Sequence, residues 1–87
     1  MKVVAKPVDA IAVFIVGRPP RPCKFKYKCR DGKLFTVNVD NVVEVDERMI
    51  SGRKSFVYQC QSTFGDFERV YELRYFTDTA GWELYKI

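Results

Sequence analysis

The sequence predicts an all-β fold: a small antiparallel barrel or rolled sheet of six to seven short strands, with little or no helix. Three observations carry that expectation. Apolar and polar residues alternate with a period of two in run after run, the pattern of strands with one buried face. Turn-forming residues, among them Gly17, Asp31-Gly32, Ser51-Gly52, Gly65 and Gly81, interrupt the runs at strand-length intervals. Aromatic residues are abundant (seven Phe, five Tyr and one Trp) and β-branched residues common, whereas alanine and leucine are scarce. No stretch sustains apolar residues at spacings of three and four. An SH3-like barrel is the first expectation. An OB-like barrel comes second, because a helix between strands is missing, and sequential hairpins favour a meander over a Greek key.

The elements follow in chain order. Lys2–Ala5 reads as a short strand or arm ended by Pro7. Asp9–Val16 is nearly all apolar, as in a strand covered on both sides or one crossing from one sheet to another. Gly17–Pro22, with three prolines, is a stiff connector, since proline fixes φ and lacks a ladder donor.

Residues 22–39, PCKFKYKCRDGKLFTVNV, form a hairpin whose register can be chosen by pattern. A two-residue Asp31-Gly32 turn would place Lys28 opposite Phe35 and Lys26 opposite Val37, mixing charge with core on one face. A three-residue loop, Arg30-Asp31-Gly32, instead pairs Tyr27 with Phe35, Phe25 with Val37 and Cys23 with Val39. Lys28, Lys26 and Lys24 then meet Leu34, Thr36 and Asn38 on the other face. Gly32 takes the left-handed bulge position cheaply, so the three-residue loop is preferred.

Asp40-Asn41 bends the chain into Val42–Arg48, with Val43 and Val45 on one side and Glu44 and Asp46 on the other. Met49–Lys54 is a loop around Ser51-Gly52. In Ser55–Ser62, Phe56, Tyr58 and Cys60 point inward and Val57, Gln59 and Gln61 outward. Thr63–Phe67 turns at Gly65. Glu68–Phe76 sets Tyr71, Leu73 and Tyr75 on the core face, with Glu72 and Arg74 outside. After Thr77–Gly81, Trp82–Ile87 is the last strand. Pairing Tyr75 with Trp82 brings Leu73 to Leu84 and Arg74 to Glu83, apolar on apolar and charge on opposite charge.

Eighty-seven residues make a single domain, 1–87, large enough for one core. The net charge of +4 is unevenly spread: residues 1–33 hold nine basic and two acidic groups, residues 34–87 six basic and nine acidic. Such asymmetry makes the N-terminal part a candidate surface for an anionic partner, or else marks two sheets that attract each other. Three cysteines without a Cys-x-x-Cys, and no histidine, argue for reduced thiols in a cytoplasmic protein and against structural zinc. The apolar run Ala10–Val16 is too short for a membrane span and lacks the flanks of a signal peptide.

Chemistry centres on the lysines. Lys24, Lys26 and Lys28 project from one face of a strand about 7 Å apart. Arg30, Arg18, Arg21 and Lys33 extend the row. Together they suit non-specific contact with a nucleic-acid backbone. The plainer reading, preferred on sequence alone, is a solvated face that also keeps a sheet edge from pairing with other chains. Phe25 and Tyr27 belong to the core in the chosen register, so no aromatic lies between the lysines for base stacking. Arg18-Pro19-Pro20-Arg21-Pro22 has the form of a polyproline ligand but reads as a rigid loop. Glu44, Asp46 and Glu47 lack a ligand loop, so no metal is expected. Without histidine, activated nucleophile or phosphate-binding glycine loop, neither enzyme activity nor a cofactor is expected. A protein–protein module or homodimer, using a strand edge or apolar positions such as Leu34, Val57 and Phe76, is the alternative.

The opening Met-Lys-Val-Val-Ala-Lys-Pro and the closing Tyr-Glu-Leu-Arg-Tyr and Trp-Glu-Leu-Tyr-Lys-Ile resemble a group of short uncharacterised bacterial proteins of Gram-positive lineages. The resemblance implies a bacterial cytoplasmic all-β protein. It carries no activity, ligand or site residue.

Overall fold

Seven antiparallel strands and no helix make up the chain in a computed structural model that describes residues 1–87. They are β1 (Val3–Val13), β2 (Arg21–Lys28), β3 (Leu34–Asn38), β4 (Asn41–Ile50), β5 (Arg53–Phe64), β6 (Phe67–Phe76) and β7 (Gly81–Lys86). The sheet order is β3-β2-β1-β7-β6-β5-β4, so every pair joins chain neighbours except β1 with β7. β3 and β4, consecutive in the chain, therefore stand at opposite ends of the sheet with only Val39 and Asp40 between them. That short link curls the sheet so that its ends approach one another at the link, with no ladder between β3 and β4. At the link, Val39 N–H donates to Cys23 O (2.9 Å) and Asp40 N–H to Gln61 O (3.1 Å), one bond to each side.

β1 forms the opposite corner. Val3–Val8 pairs with β7 and Asp9–Val13 with β2. The half-barrel is thus two sheets joined at corner strands, a common way for one sheet to fold onto itself. One has three strands (β1, β2, β3), the other five (β1, β7, β6, β5, β4). β1 does cross from sheet to sheet, but it ends at Val13 and is not covered on both sides. Of the apolar run, Ile11, Val13 and residues 14–16 are exposed. Pro7 does not end the strand: it lies within β1 opposite Glu83, just after a register shift at Ala5, whose φ is 45°.

The β2–β3 register is the one alternation selected, with Tyr27 opposite Phe35, Phe25 opposite Val37 and Lys28 opposite Leu34. Gly32 sits at φ 89°, its N–H donates to Cys29 O (3.0 Å), and Cys29 N–H donates to Lys33 O (2.8 Å), enclosing a three-residue loop. The β6–β7 register also matches expectation at Tyr75–Trp82, Leu73–Leu84 and Arg74–Glu83.

Four details correct the sequence reading. The expected Met49–Lys54 loop is a two-residue turn at Ser51-Gly52, with φ of 49° and 77°, so β4 and β5 run on to Ile50 and from Arg53. Positive φ at both central residues matches the twist of the flanking strands. In β4 Val42, opposite Cys60, packs on the core, and Val45, opposite Tyr58 on the same side, stays 38% exposed; Val43 is the extra residue of a bulge and is exposed. Val57, expected at the surface, is 3% exposed, placed between Asp46 and Arg74 on the outer side. Glu72, also expected outside, is 6% exposed and ties down Arg74. Arg74 Nε lies 3.1 Å from Glu72 Oε2, and its guanidinium stacks 3.2 Å above the Tyr85 ring, so its ion partner is Glu72 and not the cross-strand Glu83. Long amphipathic side chains thus roof the outer face of the five-stranded sheet.

The core lies between the sheets. Tyr58, Cys60, Tyr71, Leu73, Tyr75, Trp82 and Leu84 come from the five-stranded sheet, Phe25 and Val37 from the other. The Trp82 ring packs 5.2 Å from Tyr58 and 4.8 Å from Tyr75, and Phe25 meets Tyr71 at 5.6 Å across the sheets. Every buried side-chain polar atom is hydrogen-bonded. Tyr58 O–H donates to Pro20 O. Ser62 O–H donates to Asn38 O, leaving Tyr71 O–H to donate to Ser62 Oγ. Burial pushes the Cys60 thiol up to about 12 and raises both phenols above their ordinary value. No helix is long and apolar enough to cross a membrane.

Candidate nucleic-acid interface

The exposed lysines Lys24, Lys26 and Lys28 stand on the outer face of the three-stranded sheet. In register they are flanked by Ile11 and Asp9 of β1 and by Asn38, Thr36 and Leu34 of β3. A bulge at Cys23 places Pro22 opposite Ala12 and Arg21 opposite Val13. Pro22 is consequently buried, and exposed Arg21 joins the lysine face although three positions separate it from Lys24. Cys23, expected to face the core opposite Val39, is this bulge residue and is half-buried. A row of charge results, from Arg21 at one end of β2 through the lysines to Arg30 in the turn, spanning about 25–30 Å at strand rise.

Arg18 lies apart, in the β1–β2 connection. Its N–H donates to Ile15 O at 3.1 Å, and with Arg21 it borders a shallow cleft against Val42, Val45 and Tyr58. The connection is clamped: Pro20 is buried and its carbonyl accepts the Tyr58 hydroxyl. That geometry makes the proline run a rigid loop.

None of the basic residues between 1 and 33 belongs to an ion pair. The four pairs are Arg48–Asp46 (3.4 Å), Arg53–Asp78 (2.8 Å), Lys54–Glu47 (3.7 Å) and Arg74–Glu72 (3.1 Å), all on the five-stranded sheet or its turns. Two parallel hydrogen bonds from Arg53 hold the Asp78 carboxyl below its ordinary value. Asp46 and Glu47 are therefore spent on their own sheet and do not reach the lysines.

Near Arg30 the barrel opens. β3 stays with β2 while β5 runs on to Phe64 in pairing with β6, and the two edges separate around a cleft of about 640 Å³. Two cross-strand aromatic pairs contribute to its walls: Tyr27–Phe35 from the three-stranded sheet, and Phe64–Phe67 from either side of the Gly65-Asp66 turn. Phe35 is 49% and Phe67 74% exposed. An adjoining cleft of about 480 Å³ shares Tyr27, Arg69 and Ile87 and adds Lys2, Lys6 and Arg30. Lys6 Nζ donates to Lys28 O (2.7 Å) and lies 5.1 Å from the Tyr27 ring centre. Glu68 is the one acidic side chain lining either cleft.

Sequence reasoning missed this mouth. Phe35 has the alternation of a core residue, and only the divergence of β3 from β5 uncovers it. The Phe64-Gly65-Asp66-Phe67 segment did hold a signal, because two phenylalanines flanking a tight turn lie at the tip of a hairpin, where strand neighbours are fewest.

No protein-family model matches this chain, and neither a curated protein nor a solved structure matches it with significance.

Proposed function

We propose that this protein is a small non-catalytic binding module that contacts the nucleic-acid backbone, without base preference, through Lys24, Lys26, Lys28, Arg30, Arg21 and Arg18. One observation carries the proposal. The lysines stand on β2, an internal strand between β1 and β3, whereas the open edge, β3, has no charged residue at all. Lysines that guard an edge belong on the edge strand. Solubility alone is served as well by mixed charge, as on the five-stranded sheet. An unpaired basic row on an internal strand supports a polyanionic partner.

Free thiols at Cys23, Cys29 and Cys60 favour a reducing, cytoplasmic setting, and the absence of a helix favours the SH3-like over the OB-like form of small barrel. A second reading, self-association or protein binding through β3, is supported by that strand's uncharged edge and by Leu34, which is 66% exposed.

Titration of a fluorescent oligonucleotide over increasing salt tests the proposal. Six phosphate contacts to a single strand give a slope of log K on log salt of about −4, and the Lys24→Ala/Lys26→Ala/Lys28→Ala variant flattens it by about 2. Absence of binding at low salt, or an unchanged slope in the variant, overturns the proposal. Concentration-dependent mass in light scattering would favour the second reading.

A further inference from the structure

We infer that the nucleic acid this module takes is single-stranded, its bases stacking on Phe35 and Phe67 in the mouth of the barrel while its backbone runs past Arg30 onto the β2 lysines. The inference rests on the proposed backbone contact and adds the strand state of the ligand and the place of its bases.

Three features converge on it. Exposed aromatic rings are rare outside binding surfaces when grouped, and here Phe35 and Phe67 border one cleft together with Tyr27 and Phe64. Base–aromatic stacking uses such rings and tolerates any base, because every base offers a π face. The surroundings are cationic: Arg69 lines this cleft and Arg30 and Lys2 line the one adjoining it, none in an ion pair, against Glu68 as the one acidic side chain. The ligand is therefore both anionic and flat-ringed.

The third feature is continuity. Arg30 lines the cleft adjoining the aromatic mouth and, in the turn after β2, also ends the charge row, so one anionic chain can engage both. A small aromatic acid would fill the cleft and leave about 25 Å of the row unused. A duplex would use the row and leave the cleft empty, since its bases are stacked and paired inside. Only an unpaired strand satisfies both.

The test uses three fluorescent probes of about 12 nucleotides, within the roughly 4–16 that a small barrel covers: a thymine single strand, its duplex with adenine, and an abasic phosphodiester chain. The single strand binds more tightly than either other probe. Phe67→Ala weakens the single strand about fivefold or more and leaves the duplex and abasic chain unchanged. Phe67→Tyr, which keeps a ring, retains binding, whereas Phe67→Leu does not. Phe67 is exposed at a turn, and an unchanged unfolding midpoint verifies that each variant is folded.

Equal binding of all three probes, or equal effects of Phe67→Ala on all three, overturns the inference. If the triple lysine variant weakens all probes while Phe67→Ala weakens none, the backbone contact stands and the stacking falls. Failure of every probe to bind removes both. Displacement of the single strand by polyglutamate, with the same dependence on Phe67, would make the mouth a site for acidic peptide and would also overturn the inference.

Discussion

The five-stranded sheet supplies seven of the nine core residues and, with its turns, all four ion pairs; the three-stranded sheet supplies Phe25 and Val37 and no ion pair. Even the outer face of the larger sheet is roofed, with Val57 and Glu72 buried beneath paired and stacked side chains. The smaller sheet instead shows a bare row of basic residues on its outside and two half-covered aromatics, Tyr27 and Phe35, where its inside meets the mouth. The larger sheet satisfies many of its groups internally, apart from Phe67 and Arg69 of β6 at the mouth. The other leaves both charge and aromatic surface for something outside the chain, which is the division expected of a scaffold and a binding face.

The largest effects should separate the sheets by stability. Leu84→Ala removes a fully buried side chain and is expected to cost about 2–5 kcal/mol, whereas Leu34→Ala, exposed on β3, stays within about 0.5 kcal/mol. Urea unfolding of both variants measures the contrast, and a large loss at Leu34 would break it.

An intermediate effect is expected where the sheets are stitched together. Ser62→Ala removes the hydroxyl that accepts from Tyr71 and donates to Asn38 O, leaving the buried Tyr71 hydroxyl and the part-buried Asn38 carbonyl short of a partner. A cost of about 1–3 kcal/mol follows. Faster amide exchange confined to the Asn38–Asn41 corner would show that this bond holds the junction.

Alkaline pH should act more gently and mainly on the five-stranded sheet, although the Cys29 thiol in the β2–β3 connection is also raised, by desolvation and by Asp31. The folded protein keeps the Cys60 proton up to about 12, whereas an unfolded thiol releases it near its ordinary value of about 8.5. Below that value both states are protonated and stability is flat. Between the two values the native state binds more protons than the unfolded one, so stability falls as pH rises. Tyr58 and Tyr71, also raised by burial, add the same trend from about pH 10 upward. Unfolding midpoints at pH 8 and pH 10, with Cys60→Ala expected to flatten the fall, measure this.

Much of the fold was legible in the sequence. The β2–β3 and β6–β7 registers followed from alternation, because side chains opposite one another share a face and a wrong register would bury lysine. The three-residue loop followed from Gly32. The lysine face was legible for the same reason. Arg21 was expected to extend that face from the proline connector; that it does so as a residue of β2 was not legible, because the bulge at Cys23 shifts parity and nothing in residues 21–24 announces it. Val43 was misplaced in the same way, since a bulge reverses every inward assignment on one side of it.

Whether the basic row sits on an edge or inside a sheet depended on strand order, which local pattern does not carry. The same holds for Phe35, whose exposure depends on a neighbour that is remote in sequence. By itself the sequence determined the strands, most turns, two registers and the residues of the basic face, since these rest on interactions between near neighbours. Tertiary structure alone decided the crossing of β1 between sheets, the closure through Val39 and Asp40, the neutralisation of Asp46 and Glu47 within their own sheet, and the open aromatic mouth beside Arg30. These depend on how far the sheet curls, and curling is set by bulges and by packing between strands far apart in the chain.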